Sequence, residues 1–194
     1  RRLPVGGSHL VRRRLLLGYM TITVLVLLVL EVPLGIAYAT AEQRRLLANV
    51  QHDALALSIR AHEPIDAHQV GALGRIVDAY RAQVGGRVVI VGPRGELLAD
   101  SDPLEGTDPN RSFADRPEFR SALDGRETHG TRHSETLGQD FLYVAVPIVS
   151  NGAVIGALRV TYPTSYVDAR VHRVWIVLGA LAIIVIVLVF LVSL

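Results

Sequence analysis

Residues 140–162 read DFLYVAVPIVSNGAVIGALRVTY, and this stretch decides the fold. Its first arm, 141–149, is almost wholly apolar and rich in β-branched and aromatic side chains, which suit a pleated, half-buried surface. The second arm, 154–162, is similar but carries Arg159 and Thr161 on one alternate face. Between the arms stands Asn151-Gly152, the pair that best tolerates the two positive φ angles of a type I′ turn. The stretch therefore reads as a β-hairpin. Beyond it, residues 174–194 form a run of 21 residues without a charge, about 31 Å as a helix and long enough to cross a bilayer core. The last strand of a folded domain thus leads almost directly into a membrane segment, and whatever moves that strand can move the helix.

A second apolar block, residues 15–38, holds a single charge, Glu31, and Pro33. Five of the 20 arginines lie in the first 14 residues, and Arg12-Arg13-Arg14 abuts the apolar run. The positive-inside tendency keeps this end in the cytoplasm and sends residues 15–38 outward. Ala37-Tyr38-Ala39 has the A-x-A form of a signal-peptide cleavage site, but the apolar run exceeds an h-region of about 7–15 residues, so an uncleaved helix is expected. Glu31 is costly at membrane depth and lies toward the outer end, where it reaches water or a partner helix.

The formal charge of +2 conceals an asymmetry. Residues 41–172 hold 14 arginines against 17 acidic residues, a net of −3. The basic balance of the whole chain belongs to a membrane flank rather than a nucleic-acid surface, and no nucleic-acid partner is expected. The absence of lysine fits GC-rich coding. The absence of cysteine excludes disulfides, thiolate metal sites and cysteine nucleophiles. The chain does not begin with Met and stops inside an apolar run, so it is expected to be a piece of a longer protein. The division follows: a cytoplasmic leader, 1–14; a first membrane helix, 15–38; an extracytoplasmic domain, 41–172; and a second membrane helix, 174–194. That is a multi-pass protein of the cytoplasmic membrane.

Residues 41–63 read as a helix that can continue the first membrane span. Leu47, Val50, Ala54, Leu57 and Ala61 recur at 3-4-3-4 spacing, a stripe that packs either on the domain's own sheet or on a second subunit. A second helix is expected over 66–84, with Val70, Leu73, Val77, Tyr80 and Val84 on one face; Pro64 separates the two and Gly85-Gly86 ends the second. The period then changes. Residues 87–91 are a strand, 92–95 a turn, 96–99 a second strand, and 100–111 a polar loop. Residues 115–123 read as a short helix, with Asp115 as its cap, Glu118 completing a capping box, Pro117 in the first turn and Gly125 after the end. A strand over 126–134 and a turn at Leu137-Gly138-Gln139 lead back to the hairpin. The class is α+β: an antiparallel sheet of about five strands with a long N-terminal helix across one face.

The segment VVIVGPRGELLADSDPLEG, 88–106, resembles the start of the PAS-like extracytoplasmic sensor fold of the Cache or PDC type. SFADRPEFRSALDG, 112–125, resembles the short helix after its ligand loop, and FLYVAVPIVSNGAVIGALRVTYP, 141–163, resembles its closing hairpin. With two flanking membrane helices, the layout is similar to the input half of bacterial two-component sensor histidine kinases. The resemblance implies a homodimer in the lipid bilayer. It also implies that a HAMP relay, a kinase core and a response regulator partner belong to a parent protein rather than to this chain. A chemoreceptor or a cyclic-dinucleotide enzyme can carry the same input domain, and an anchored binding protein without output is the alternative from another class.

No catalytic constellation stands out: the sequence has no G-x-S-x-G, P-loop, H-E-x-x-H or kinase signature. His129 and His133 have metal-ligand spacing, but a third ligand is missing nearby, and neither metal nor cofactor is expected. Arginines crowd the segment around the short helix: Arg111, Arg116, Arg120, Arg126 and Arg132. The resemblance implies that ligands lie between the sheet and this helix, where arginine can hold a carboxylate through paired, charge-assisted hydrogen bonds. The expected ligand is a small anion. The candidate residues are Arg116, Arg132, His133, Tyr143 and Arg159, and the N-terminus of the short helix is expected to favour the same charge.

Overall fold

The structure, a computed structural model, describes residues 8–102, 112–134 and 139–193. Asn151 at φ 49° and Gly152 at φ 81° make the left-handed turn that the sequence asks for. On either side of it run β4, Gln139–Ser150, and β5, Ala153–Pro163. The remaining strands are β1, Arg87–Val91, β2, Leu97–Asp100, and β3, Thr128–Ser134. All pairings are antiparallel, in the order β2-β1-β5-β4-β3, so the hairpin forms the centre of the sheet. The helices are α1, Ser8–Asp66, α2, Val70–Val84, α3, Pro117–Leu123, and α4, Ser165–Ser193. By its contacts the chain divides into two compact units: Arg44–Tyr166, and Arg1–Gln43 with Val167–Leu194.

In the first unit the sheet has two covered faces. On one, Val88, Ile90, Val144, Val146, Leu158 and Val160 pack against the α1 stripe of Val50, Ala54, Leu57 and Ala61 and against Leu73, Val77 and Tyr80 of α2. The stripe is therefore intramolecular core, with Leu47 packed at its margin. The Tyr80 hydroxyl donates to Asp53 at 2.9 Å and joins α2 to α1. Of the expected α2 face, Val70 and Val84 lie exposed at the two ends. The opposite sheet face carries a smaller cluster: Val89, Val91, Ala145 and Ala157 beneath Phe113, Phe119 and Ala122. Here α3 lies on the sheet. Phe119 is fully buried and meets Phe113 edge to face at 5.4 Å.

Several boundaries depart from the sequence reading, among them the start of α2 at Val70 rather than 66 and β2 over Leu97–Asp100 rather than 96–99. Pro64 does not separate α1 from α2: α1 runs on to Asp66, and the break comes at His68, whose φ is 56°. A proline in the last turn removes one N–H donor near the helix end, and its own carbonyl accepts from Gln69 at 2.8 Å in closing the helix. Asp115 does not cap α3. Arg116 occupies the N-cap position without a side-chain bond, Asp115 is fully exposed, and Glu118 turns to the sheet instead of back to the cap. β3 begins at Thr128 rather than 126, and Gln139 belongs to β4 rather than to a turn. Leu137-Gly138, Arg111 and most of the polar loop lie outside the described residues.

In the second unit, α1 and α4 each include a stretch long and apolar enough to cross a membrane, within Gly18–Asp66 and Arg170–Leu188. They approach closely: a Cβ added at Gly35 would lie 2.6 Å from the Trp175 ring. Arg170 donates to Glu42 at 2.8 Å. Glu31 has one carboxylate oxygen buried without a hydrogen-bond partner among the described residues.

Candidate ligand site on the α3 face of the sheet

Strand register sorts the α3 face into rows that run across the sheet. The first row, Pro147, Ala157, Val91 and Leu97, is apolar. The second is Thr128, Ala145, Arg159, Val89 and Asp100; the third is Gly130, Tyr143, Thr161 and Arg87; the fourth is Arg132, Phe141 and Pro163. Because α3 covers the apolar end, the polar rows emerge beside it.

Two arginines on this face are held differently. Arg87 grips Asp100 as a fork, Nε to Oδ1 at 2.9 Å and Nη2 to Oδ2 at 2.6 Å. The Asp100 side chain is only 2% exposed, and its hydrogen bonds raise the Arg87 pKa above the ordinary value. Among the described residues Arg159 has one N–H engaged: Nη1 donates to Oε1 of Glu118 at 2.6 Å, with the two side chains 11% and 7% exposed. Its guanidinium lies 5.1 Å over the Phe119 ring. Burial pushes the Arg159 pKa down, the Glu118 charge and hydrogen bond oppose that, and the positive charges of Arg116 and Arg87 add to the lowering. Arg159 Nε is buried with no hydrogen-bond partner among the described residues, and so is Thr161 Oγ1, two residues along the same strand. Ala145, directly across from Arg159 on β4, contributes only a methyl group.

Tyr143 lies across β3. A Cβ on Gly130, its register partner, would come within 2.6 Å of the tyrosine hydroxyl, so only glycine allows the ring this close. Tyr143 and Arg159 thus share a face, as the alternation along β4 and β5 requires. Arg132 joins them at the open end, exposed. Arg116, half-buried at the start of α3, holds its guanidinium 5.2 Å over Phe113. His133 does not join the group: it follows Arg132 in a strand, so it faces the other way, and its ring meets Asp140 at 2.7 Å. Arg120 and Arg126 are exposed, the first 3.9 Å from Asp115 and the second bonded to Asp124 at 2.9 Å. α3 has seven residues, its first turn contains Pro117 without an N–H, and Glu118 already supplies negative charge there, so its N-terminus offers no separate anion site. Sequence reasoning missed Glu118 as the partner of Arg159 and Gly130 as the seat of Tyr143. Glu118 at a capping-box position diverted attention to the helix end.

No family model matches the sequence, and no curated protein is similar to it in sequence. Solved structures are similar in fold. The sensor domain of the Vibrio cholerae histidine kinase DctB matches with a TM-score of 0.60 at 19% identity, over 72% of this chain and 57% of that one. The ligand-binding domain of the Campylobacter jejuni chemoreceptor Tlp3, in complex with L-valine, gives 0.62 at 16%, over 78% and 66%. That of the Pseudomonas aeruginosa amino acid chemoreceptor PctC, in complex with GABA, gives 0.56 at 14%, over 71% and 61%. The chain thus spans less than two thirds of the length of each. What it shares with all three is the fold of the extracytoplasmic sensor domains of PDC or Cache type.

Proposed function

We propose that the chain is the membrane-anchored sensing module of a two-component sensor histidine kinase. In this reading residues 41–172 lie outside the cytoplasmic membrane, residues 15–38 and 174–194 span it, and the module works as a homodimer. A small ligand or an envelope stress shifts the domain between two arrangements, and the second span reports the shift to a cytoplasmic kinase part and its response regulator. The observation that carries it is the sensor-domain fold with an apolar helix on each side, β5 ending at Pro163 and α4 beginning at Ser165. A second reading, the input domain of a chemoreceptor, is favoured by the Tlp3 likeness, whose TM-score of 0.62 stands beside 0.60 for DctB.

The ligand is a small molecule with a carboxylate. Arg159 supports this, with Tyr143, Arg116 and Arg132 around it, and so does the chemistry of the L-valine and GABA bound by the chemoreceptor domains. Two measurements test the reading. Alkaline phosphatase joined after Thr164 is expected to be active and a fluorescent protein joined after Leu194 to fluoresce; the reverse pattern sinks the topology. The coding sequence beyond Leu194 is expected to encode a HAMP-like helix pair and a phospho-acceptor histidine helix. A methyl-accepting helical hairpin there gives the chemoreceptor, and a soluble enzyme overturns both.

A further inference from the structure

We propose that Glu118 is a built-in occupant of the carboxylate site on Arg159, and that a ligand carboxylate acts by exchanging with it, releasing the start of α3 from the sheet. The contrast between the two arginines on this face leads there. Arg87 is saturated along its fork edge by Asp100. Arg159, more buried at 11% exposure against 29%, is held end-on among the described residues by a single N–H, with Nε left unpartnered there. Buried N–H groups are rarely left so, and one that persists asks for an explanation. Thr161 Oγ1 is orphaned among the described residues on the same face of the same strand, and Ala145, the register partner of Arg159, brings no hydrogen-bonding side chain to it. The Nε edge of a guanidinium is the edge that receives a carboxylate bidentately, and a neighbouring hydroxyl completes the set.

Exchange, rather than simple addition, follows from charge. A second carboxylate beside a retained Glu118 would set two anions on one buried cation, and like charges in a dry site disfavour each other strongly. Departure of Glu118 without replacement would leave Arg159 buried and unpaired, which is also disfavoured. Swapping one carboxylate for another avoids both. Glu118 lies in the first turn of α3, whereas Phe119 and Ala122 anchor the same helix in the apolar cluster. Exchange therefore loosens the front of α3 while its apolar underside stays seated.

The inference rests on the reading of this domain as a ligand sensor, but its test does not use the fusions or the downstream sequence that test that reading. The chain lacks cysteine, so Arg120→Cys, exposed on α3, takes a single spin label in the full chain in detergent. Acetate is titrated against chloride at equal ionic strength. Label mobility is expected to rise with acetate, and Glu118→Gln is expected to lower the half-saturating acetate concentration at least tenfold. Arg159→Gln is expected to abolish the response, Thr161→Val to weaken it, and Asp124→Asn to leave it unchanged. Should Glu118→Gln not fold in chloride, acetate is expected to restore its cooperative unfolding transition. Equal half-points in wild type and Glu118→Gln, no acetate response in Glu118→Gln, or a response that survives in Arg159→Gln overturns the exchange.

Discussion

Replacing Glu118 by alanine tests how the α3 face is held together. The change strips the one hydrogen-bonded partner found among the described residues from an arginine whose side chain is 11% exposed. Breaking a buried ion pair from one side costs about 3–5 kcal/mol, because the remaining charge has neither water nor counter-ion. The pair of Arg126 with Asp124 has a similar contact at 2.9 Å, but its side chains are 68% and 53% exposed. Asp124→Ala should therefore cost at most about 1 kcal/mol. For a unit the size of Arg44–Tyr166 each kcal/mol moves Tm by roughly 3–5 °C, so Glu118→Ala should lower it by about 10–25 °C and Asp124→Ala by about 5 °C at most. Removing both members of the buried pair separates charge from packing. Glu118→Leu with Arg159→Met is expected to recover most of the loss, since apolar replacements for buried pairs are often neutral or stabilising by about 1–4 kcal/mol. Scanning calorimetry of the full chain in detergent reads all four proteins. If Glu118→Ala melts with Asp124→Ala, Arg159 is solvated in solution and the electrostatic account of the site fails.

Three further outcomes are expected. Leu73→Ala, in the core between α2 and the sheet, should cost about 2–5 kcal/mol, seen as a lower melting temperature; a loss below 1 kcal/mol would mean that α2 is loosely seated. Burial and the bond to Asp53 hold the Tyr80 phenol above its ordinary pKa of 10.0, so the unfolded chain ionises first as pH rises. That contribution is fully present below pH 10 and is lost above it. Denaturant midpoints across this range should therefore fall less in Tyr80→Phe than in wild type, and parallel curves would remove Tyr80 as the cause. Gly130→Ala places a methyl within 2.6 Å of the Tyr143 hydroxyl, at a cost of about 1–3 kcal/mol, and should swing the ring off β3. An unchanged tyrosine environment in aromatic NMR spectra would contradict this.

Much of the fold could be read from local pattern, and the misreadings have a common origin. The hairpin was legible because its turn pair, alternation and arm lengths are all local signals. The α1 stripe was legible as a helix face, but its partner was not, since periodicity says that a face is buried and not against what. The position of Pro64 misled because proline at the end of a helix loses only one bond that water can replace. The site was half visible. Alternation puts Arg159 with Thr161 and separates His133 from Arg132 without any structure. Finding Glu118 beside Arg159 needs a pairing 41 residues apart, set by how α3 docks through Phe119, and no spacing rule supplies it.

The position of Arg159 gives the site mechanical meaning. β5 is the central strand next to β1, so its inner residues are fixed on both sides: Arg159 pairs with Ala145 and with Val89. Four residues further on, β5 ends at Pro163, and α4 starts at Ser165. The residue between them, Thr164, is not loose. Its N–H and its hydroxyl both reach the carbonyl of Asp140, each at 3.0 Å, which ties the exit of β5 to the start of β4. A ligand that binds two arrangements of Arg159 equally well shifts nothing, however tightly it binds. The proposed exchange would meet this requirement, because a second carboxylate on Arg159 is disfavoured while Glu118 is retained and is accommodated once Glu118 has left. Under the proposed signalling role, the link from the site to α4 would run along β5 and Thr164. Thr164→Val, which removes the side-chain half of that clamp, should leave acetate binding intact while reducing any change passed to a reporter placed after Leu194. A variant that loses binding as well would show that the clamp shapes the site rather than transmits from it.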